Sequence, residues 1–274
     1  MTSPPRSKTS LPESPSSNAS TPTERSSSTA TSTPSARGRS ARAPPRPTDP
    51  VDLGSPLLLV NLKTYPSQLG PAAERTARLL EELARAHSVP VAIAPAMPDL
   101  ARVAAAVTIP VLAQHVDPIE AGATTGFVPP ESVRASAAWG SLVNHSEHPL
   151  PITRCAQAVS HLRELGLVSV VCARDVPIAR RLGRLHPPYL AIEPPELIGG
   201  DRAVSTARPE VVSGAVEAVH ALSPSTRVLC GAGVHDRHDV ARALELGSTG
   251  VLVASAVARA ADPRAAVEEL LSGF

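Results

Sequence analysis

From residue 57 onward the chain alternates short, unbroken apolar runs with longer stretches in which Ala, Leu and Val recur at helical spacing among Arg and Glu. The pattern predicts strands at 57–61 (LLLVN), 89–94, 110–115, 141–145, 169–173, 189–193, 227–231 and 250–254. Helices fall between them, among them 71–87 and 209–222, each opened by a proline in its first turn, Pro71 and Pro209. Strands this uniformly apolar are covered on both faces, which implies a parallel sheet flanked by helices, an α/β fold. Eight such units in about 220 residues fit an open doubly wound sheet or a closed (β/α)8 barrel, and the count and size favour the barrel. The polar residues favour it too. Asn61 and Lys63, Gln114 and His115, Asn144 and His145, Glu193, and the Gly231–Gly233 cluster all end different strands. A barrel gathers those ends on one face, whereas an open sheet strings them along an edge.

The first part of the chain lacks this pattern. Its first fifty residues hold 13 Ser, 8 Thr and 10 Pro, with Leu11 as the only large aliphatic, so they cannot bury enough apolar surface to offset the entropy of ordering. The expected organisation is a disordered Ser/Thr/Pro-rich tail over 1–54 followed by a barrel domain over 55–274. With seven Lys/Arg against four Asp/Glu, the tail weakly resembles an organelle transit peptide. It reads equally as a solvated leader, or as a stretch outside the native protein with Val51 as an alternative start. It has no apolar stretch of the kind a secretory signal needs, so a cytoplasmic location is expected. A charge of +1 for the whole chain and +3 for the tail leave about −2 on the barrel, which argues against a nucleic-acid partner. The apolar runs are too short for a membrane span, which needs about 20 residues. Cys155, Cys172 and Cys230 are odd in number, lack metal-ligand spacing and read as small core side chains, so no metal is expected.

Lysine usage singles out one position: the chain has two lysines and 24 arginines, and Lys63 is the only lysine beyond the tail. Glu193 ends an apolar strand and is followed by Pro194-Pro195 and then Gly199-Gly200. A stiff base and a permissive tip are the build of a lid. His145 also ends a strand, and the backbone N–H groups of Ser146 and Glu147 can keep its imidazole neutral and oriented. His87, His161, His186 and His220 fall in helices or at their ends and read as structural. Gly231-Ala232-Gly233 and Ala254-Ser255-Ala256 end the seventh and eighth strands, where small residues let backbone N–H groups approach an anion. Loops at those two places commonly hold phosphate in barrels. A carboxylate base, a histidine, a lysine and a phosphate pocket, with no redox-cofactor motif, suit moving a proton beside the carbonyl of a small phosphorylated molecule.

The motifs VNLKTY, AQHVDPIEAGATTG, LVNHSE, AIEPPELIGG, ARPEVV, VLCGAGV and GVLVAS, in this order over 57–274, resemble the triosephosphate isomerases, specifically their shorter archaeal-type branch. The resemblance implies a TIM barrel and a cofactor-independent aldose-ketose isomerase that interconverts dihydroxyacetone phosphate and D-glyceraldehyde 3-phosphate through an enediolate, a step of glycolysis and gluconeogenesis. By it, Asn61 and Lys63 contact the substrate, and Lys63 supplies positive charge near the enediolate. His145 is the neutral electrophile and Glu193 the base, a pairing known from this very family. Glu147 belongs to the supporting polar shell. Phosphate is held by backbone N–H groups around Ile198 and Gly199 in the closed lid, Gly233, and Ala254 and Ser255. The lid tip, Gly199-Gly200-Asp201-Arg202, departs from the family's usual Gly-Thr-Gly followed by apolar residues, and Ala256 stands where the archaeal pattern tends to glycine. These departures leave two alternatives: an isomerase of another short sugar phosphate such as a tetrose phosphate, or a phosphate-ligand-binding paralogue without turnover. In the family the long loop at 115–130 inserts into a neighbouring subunit, which implies a dimer or a tetramer.

Overall fold

The computed structural model describes residues 52–197 and 203–274. Eight strands, β1 (Leu57–Asn61), β2 (Val91–Ala94), β3 (Leu112–Ala113), β4 (Gly140–Val143), β5 (Val168–Ala173), β6 (Tyr189–Ile192), β7 (Arg227–Cys230) and β8 (Gly250–Val253), pair in parallel in the order β2-β1-β8-β7-β6-β5-β4-β3. A parallel bridge between Ile93 and Val111, just before β3, joins the two edges and closes the barrel. Around it lie α1 (Pro71–His87), α2 (Leu100–Ala106), α3 (Pro130–Ala135), α4 (Ile152–Glu164), α5 (Val176–Gly183), α6 (Val204–Ala207), α7 (Pro209–His220), α8 (Arg237–Glu245), α9 (Ser255–Ala258) and α10 (Pro263–Leu271). Among the described residues no helix is long and apolar enough to cross a membrane.

Successive side chains along each strand point to opposite faces, and here both faces are buried. Leu57 and Leu59, Leu142, Val170, Tyr189 and Ala191, Leu229 and Leu252 fill the barrel interior. Their neighbours Leu58 and Val60, Val143, Val171, Leu190 and Ile192 join the larger core beneath the helices. Each such large aliphatic contributes about 1.5–3 kcal/mol of burial, and apart from small polar side chains such as Ser141 and Ser169 both faces take apolar residues, which is why the strands read as nearly unbroken apolar runs.

The observed strands agree with the predicted ones to within about two residues at each end, and β3, losing two at both, shrinks from 110–115 to two residues. Gln114 leaves the ladder because its amide does a different job, donating from Nε2 to the carbonyls of Ala94 (3.0 Å) and Lys63 (2.9 Å). At the opposite, N-terminal end of the barrel, Leu53 is buried against the interior cluster. Its N–H donates to the Tyr189 hydroxyl (3.0 Å), which also meets Asp52 (3.0 Å), while Arg227 pairs with the Asp52 carboxylate. The Arg227 guanidinium holds Asp52 well below the usual carboxylate range, and burial pushes Tyr189 up to about 12.

Candidate active site

Three of the predicted site residues, Asn61, Glu193 and Ala254, are the next inward step of their strand. The inward set of β1 continues from Leu57 and Leu59 to Asn61, that of β5 from Val170 to Cys172, and that of β6 from Ala191 to Glu193. On β7 and β8 the same step reaches Gly231 and Ala254. β4 is the exception, since Leu142 faces inward and simple alternation would send His145 outward. Asn144 breaks the alternation by taking a left-handed φ of 63°. Its side chain then donates to Cys172 O (2.9 Å) and accepts from Leu150 N–H (2.8 Å), and His145 turns into the barrel mouth, where it is buried.

Lys63 also takes a left-handed φ, 48°, a conformation that costs a non-glycine residue roughly 1 kcal/mol. Two side chains hold it there: Asn61 Oδ1 accepts from Lys63 N–H (2.9 Å), and Gln114 donates to its carbonyl. The result aims the ammonium at Glu147 Oε1, 2.7 Å away. Glu147 also fixes the histidine, because its backbone N–H donates to His145 Nδ1 (3.2 Å). An Nδ1 that accepts leaves the ring proton on Nε2 of a neutral imidazole. That Nε2 faces Glu193 Oε1 at 3.6 Å, too far for a direct hydrogen bond and close enough for both groups to reach one bound molecule.

Glu193 is 2% exposed, and its Oε2 accepts no hydrogen bond among the described residues. Burial raises its pKa above the usual carboxylate range. His145, the neighbouring Cys172 thiol and Lys63 draw it partly back, and Glu147 pushes it up again. An ionised carboxylate in such a place is a stronger base than one in water. It fits only because Gly231 has no side chain, since a Cβ there would lie 2.6 Å from Glu193 Cγ.

These groups line a cleft with about 450 Å³ of empty space, whose far wall is Gly233, His235, Ala254 and Ser255. Gly233 has a φ of 68°, which favours glycine, and Ser255 opens α9, in which the N–H groups of Val257 and Ala258 bond Ala254 O (3.2 and 2.9 Å) and those of Ser255 and Ala256 come before the helical ladder. Such a wall can receive a phosphate. The cleft therefore joins Asn61, Lys63, His145, Glu193, Gly233, Ala254 and Ser255, with Glu147 beside Lys63, while Ile198, Gly199 and the rest of the lid tip lie outside the described residues. The two flanks of that segment are tied down. Arg208 Nη1 bonds Glu196 (2.6 Å), and Val204 N–H donates to Ala232 O (3.0 Å). Three contributors escaped the sequence reading. Tyr65 and His235 each sit two residues past a chosen position, and Cys172 is both a core residue and the inward residue nearest the end of β5. Among the described residues no group of three or more His, Cys, Asp or Glu side chains is placed to hold a metal ion.

The family model for triosephosphate isomerase matches residues 56–271. A triosephosphate isomerase from Methanosarcina acetivorans is 43% identical over 219 residues, spanning 80% of this chain and 99% of its own. One from Methanothermus fervidus is 43% identical over 217 residues (79% and 98%), and one from Cenarchaeum symbiosum 44% over 216 (79% and 96%). The crystal structure of triosephosphate isomerase from Bartonella henselae superposes with a TM-score of 0.62 at 16% identity, covering 74% of this chain and 94% of that one, a likeness of fold.

Proposed function

The chain belongs to the triosephosphate isomerase family, and on that footing we propose that it interconverts dihydroxyacetone phosphate and D-glyceraldehyde 3-phosphate with Glu193 as base and His145 as electrophile. The observation that carries the assignment is the facing pair itself, a buried carboxylate and a neutral Nε2–H 3.6 Å apart in one cleft. A substrate seated there offers a carbon-bound proton to Glu193 and its carbonyl oxygen to His145. Proton abstraction moves charge onto that oxygen as the enediolate forms. The His145 Nε2–H and the Lys63 ammonium lie where they stabilise that charge, and low exposure strengthens both interactions. His145 carries a proton from one enediolate oxygen to the other, and Glu193 returns its proton to the adjacent carbon. Asn61 fixes the Lys63 backbone, and Glu147 fixes both the ammonium and the imidazole. The phosphate sits against the backbone of Gly233, Ala254 and Ser255, with Ile198 and Gly199 completing its site from the lid.

The test is a coupled assay on the purified chain. Glu193→Gln should lower kcat by about three or more orders of magnitude, and turnover unaffected by that substitution removes Glu193 as the base. Neither a tetrose phosphate nor a binding role without turnover has a specific observation in its favour.

The same reading includes self-association as a dimer or tetramer through the 115–130 loop. It is supported by Phe127, which is 55% exposed on that loop. Beside Lys63, Thr64, Met97, Gln114 and Asp117 frame a pocket open to solvent, where a loop from a second copy could enter. Light scattering on Phe127→Asp should report a smaller particle than the parent, and an unchanged mass removes the loop from the interface. As a glycolytic enzyme it would work in the cytoplasm.

A further inference from the structure

Beside this cleft His115 and His148 stack face to face, with ring centroids 3.6 Å apart and planes within 8° of parallel. They come from different parts of the barrel mouth. His115 follows β3 at the base of the long loop, and His148 ends the turn after β4 that carries His145 and Glu147. The His115 ring is held by a side chain and His148 through its backbone. His115 Nε2 meets Asp117 Oδ1 at 3.2 Å, and Asp117 staples the loop shut, its Oδ2 accepting from Val128 N–H (2.8 Å) and its own N–H donating to Val128 O (2.8 Å). His148 N–H donates to His145 O (2.8 Å), one residue from the Glu147 N–H that sets the His145 tautomer. The backbone ladder does not explain the stack, since β3 and β4 pair only through Leu112 with Gly140 and Ala113 with Ser141.

We propose that His115 and His148 are positioning residues for the isomerisation: their stack clamps the His145–Glu147 turn to the loop base while the rings are neutral and releases it when they are protonated. This rests on the isomerase reading above. The charged and titratable groups around the pair are Asp117 from the loop, Lys63 from beyond β1, and Glu147 and His145 from the turn itself. Glu147 is engaged with the Lys63 ammonium, so Asp117 is the acid left to the pair, and it serves His115. A second positive ring at stacking distance must share that one counter-charge, since the Asp117 carboxylate also feels His148. Burial lowers the pKa of His115 below the ordinary 6.5, with Asp117 opposing and His148 adding to the effect. A histidine whose folded pKa is depressed contributes its full stability above the unfolded value and loses it as pH falls through the folded one. The clamp is therefore whole at neutral pH and fails in acid.

His148→Phe keeps a flat ring for stacking and cannot ionise, whereas His148→Ala removes the ring. Both are compared with the parent full-length chain, kcat and KM for dihydroxyacetone phosphate being measured from pH 5 to 8. Dividing each variant by the parent at the same pH cancels the titration of the substrate phosphate. His148→Ala should lose roughly tenfold in kcat at pH 7.5 with a smaller change in KM. His148→Phe should stay within about twofold of the parent there, and its ratio should climb by about threefold or more between pH 7 and 5.5. Parental kcat in His148→Ala, or a flat ratio in His148→Phe, overturns the proposal. Should a thermal melt show His148→Phe unfolded, His115→Phe carries the same test from the other ring. A parent inactive at every pH refutes the isomerase reading as well, whereas a flat ratio in an active parent refutes the clamp alone.

Discussion

A single methyl group at Gly231 should disable the site without touching its chemistry. A Cβ built there lies 2.6 Å from Cγ, 3.1 Å from Oε1 and 3.2 Å from Cδ of Glu193. Non-bonded carbons settle at about 3.5–4 Å, so the side chain must retreat by roughly 1 Å. The clash falls near the base of the side chain, and Glu193 is fully enclosed, so no flexible end can absorb it. Gly231 cannot yield either, because its N–H is tied to Ile192 O (3.0 Å), and its φ is not left-handed, so alanine adds steric strain alone. A misplacement of about 1 Å in a reacting group costs about 100-fold in rate, equivalent to about 2.7 kcal/mol of barrier. Overpacking should cost stability by about 1–3 kcal/mol as well. The coupled assay on Gly231→Ala should show kcat reduced about 100-fold and KM within about threefold, because the phosphate wall is untouched. Thermal melts confirm that the variant is folded. A folded Gly231→Ala with kcat within about threefold of the parent would refute the claim that the position of this carboxylate sets the rate.

Glu193→Gln should stabilise the fold while abolishing turnover. Its raised pKa means that ionisation penalises the folded state as pH rises through the folded value, a penalty absent below the ordinary 4.5. Melts at pH 8 should therefore show a Tm about 2–4 °C above the parent, a gain that fades in acid, and a lower Tm at pH 8 contradicts the reading. Lys63→Arg should leave the melting curve nearly unchanged and lower kcat by about 100-fold, because the wider guanidinium cannot occupy the place of a compact ammonium pinned by a left-handed backbone. Full activity in that variant shows that charge alone suffices. Tyr189→Phe strips a partner from Leu53 N–H, Asp52 and Arg227 at the far end of the barrel, which should cost about 1–3 kcal/mol in a denaturant titration. Its kcat should match the parent, and a drop would mean that the two ends are coupled.

Much of this architecture is legible in the order of residues, because the features concerned are local. Unbroken apolar runs between amphipathic stretches name eight strands buried on both faces, and the period-two rule projected past their ends selects Asn61, Glu193 and Gly231. The same rule taken alone would send His145 away from the site. That residue reaches the barrel mouth because Asn144 adopts a left-handed backbone, held by partners on β5 and at Leu150 that only the folded chain brings near. Closure decides the rest. It sets Glu193 against the bare face of Gly231, 38 positions along the chain, lends Cys172 to the same carboxylate, and lays His115 on His148 across two loops. Periodicity and composition describe how each segment meets solvent or core. Which segments then touch depends on the register in which the barrel closes, a property of all eight strands together.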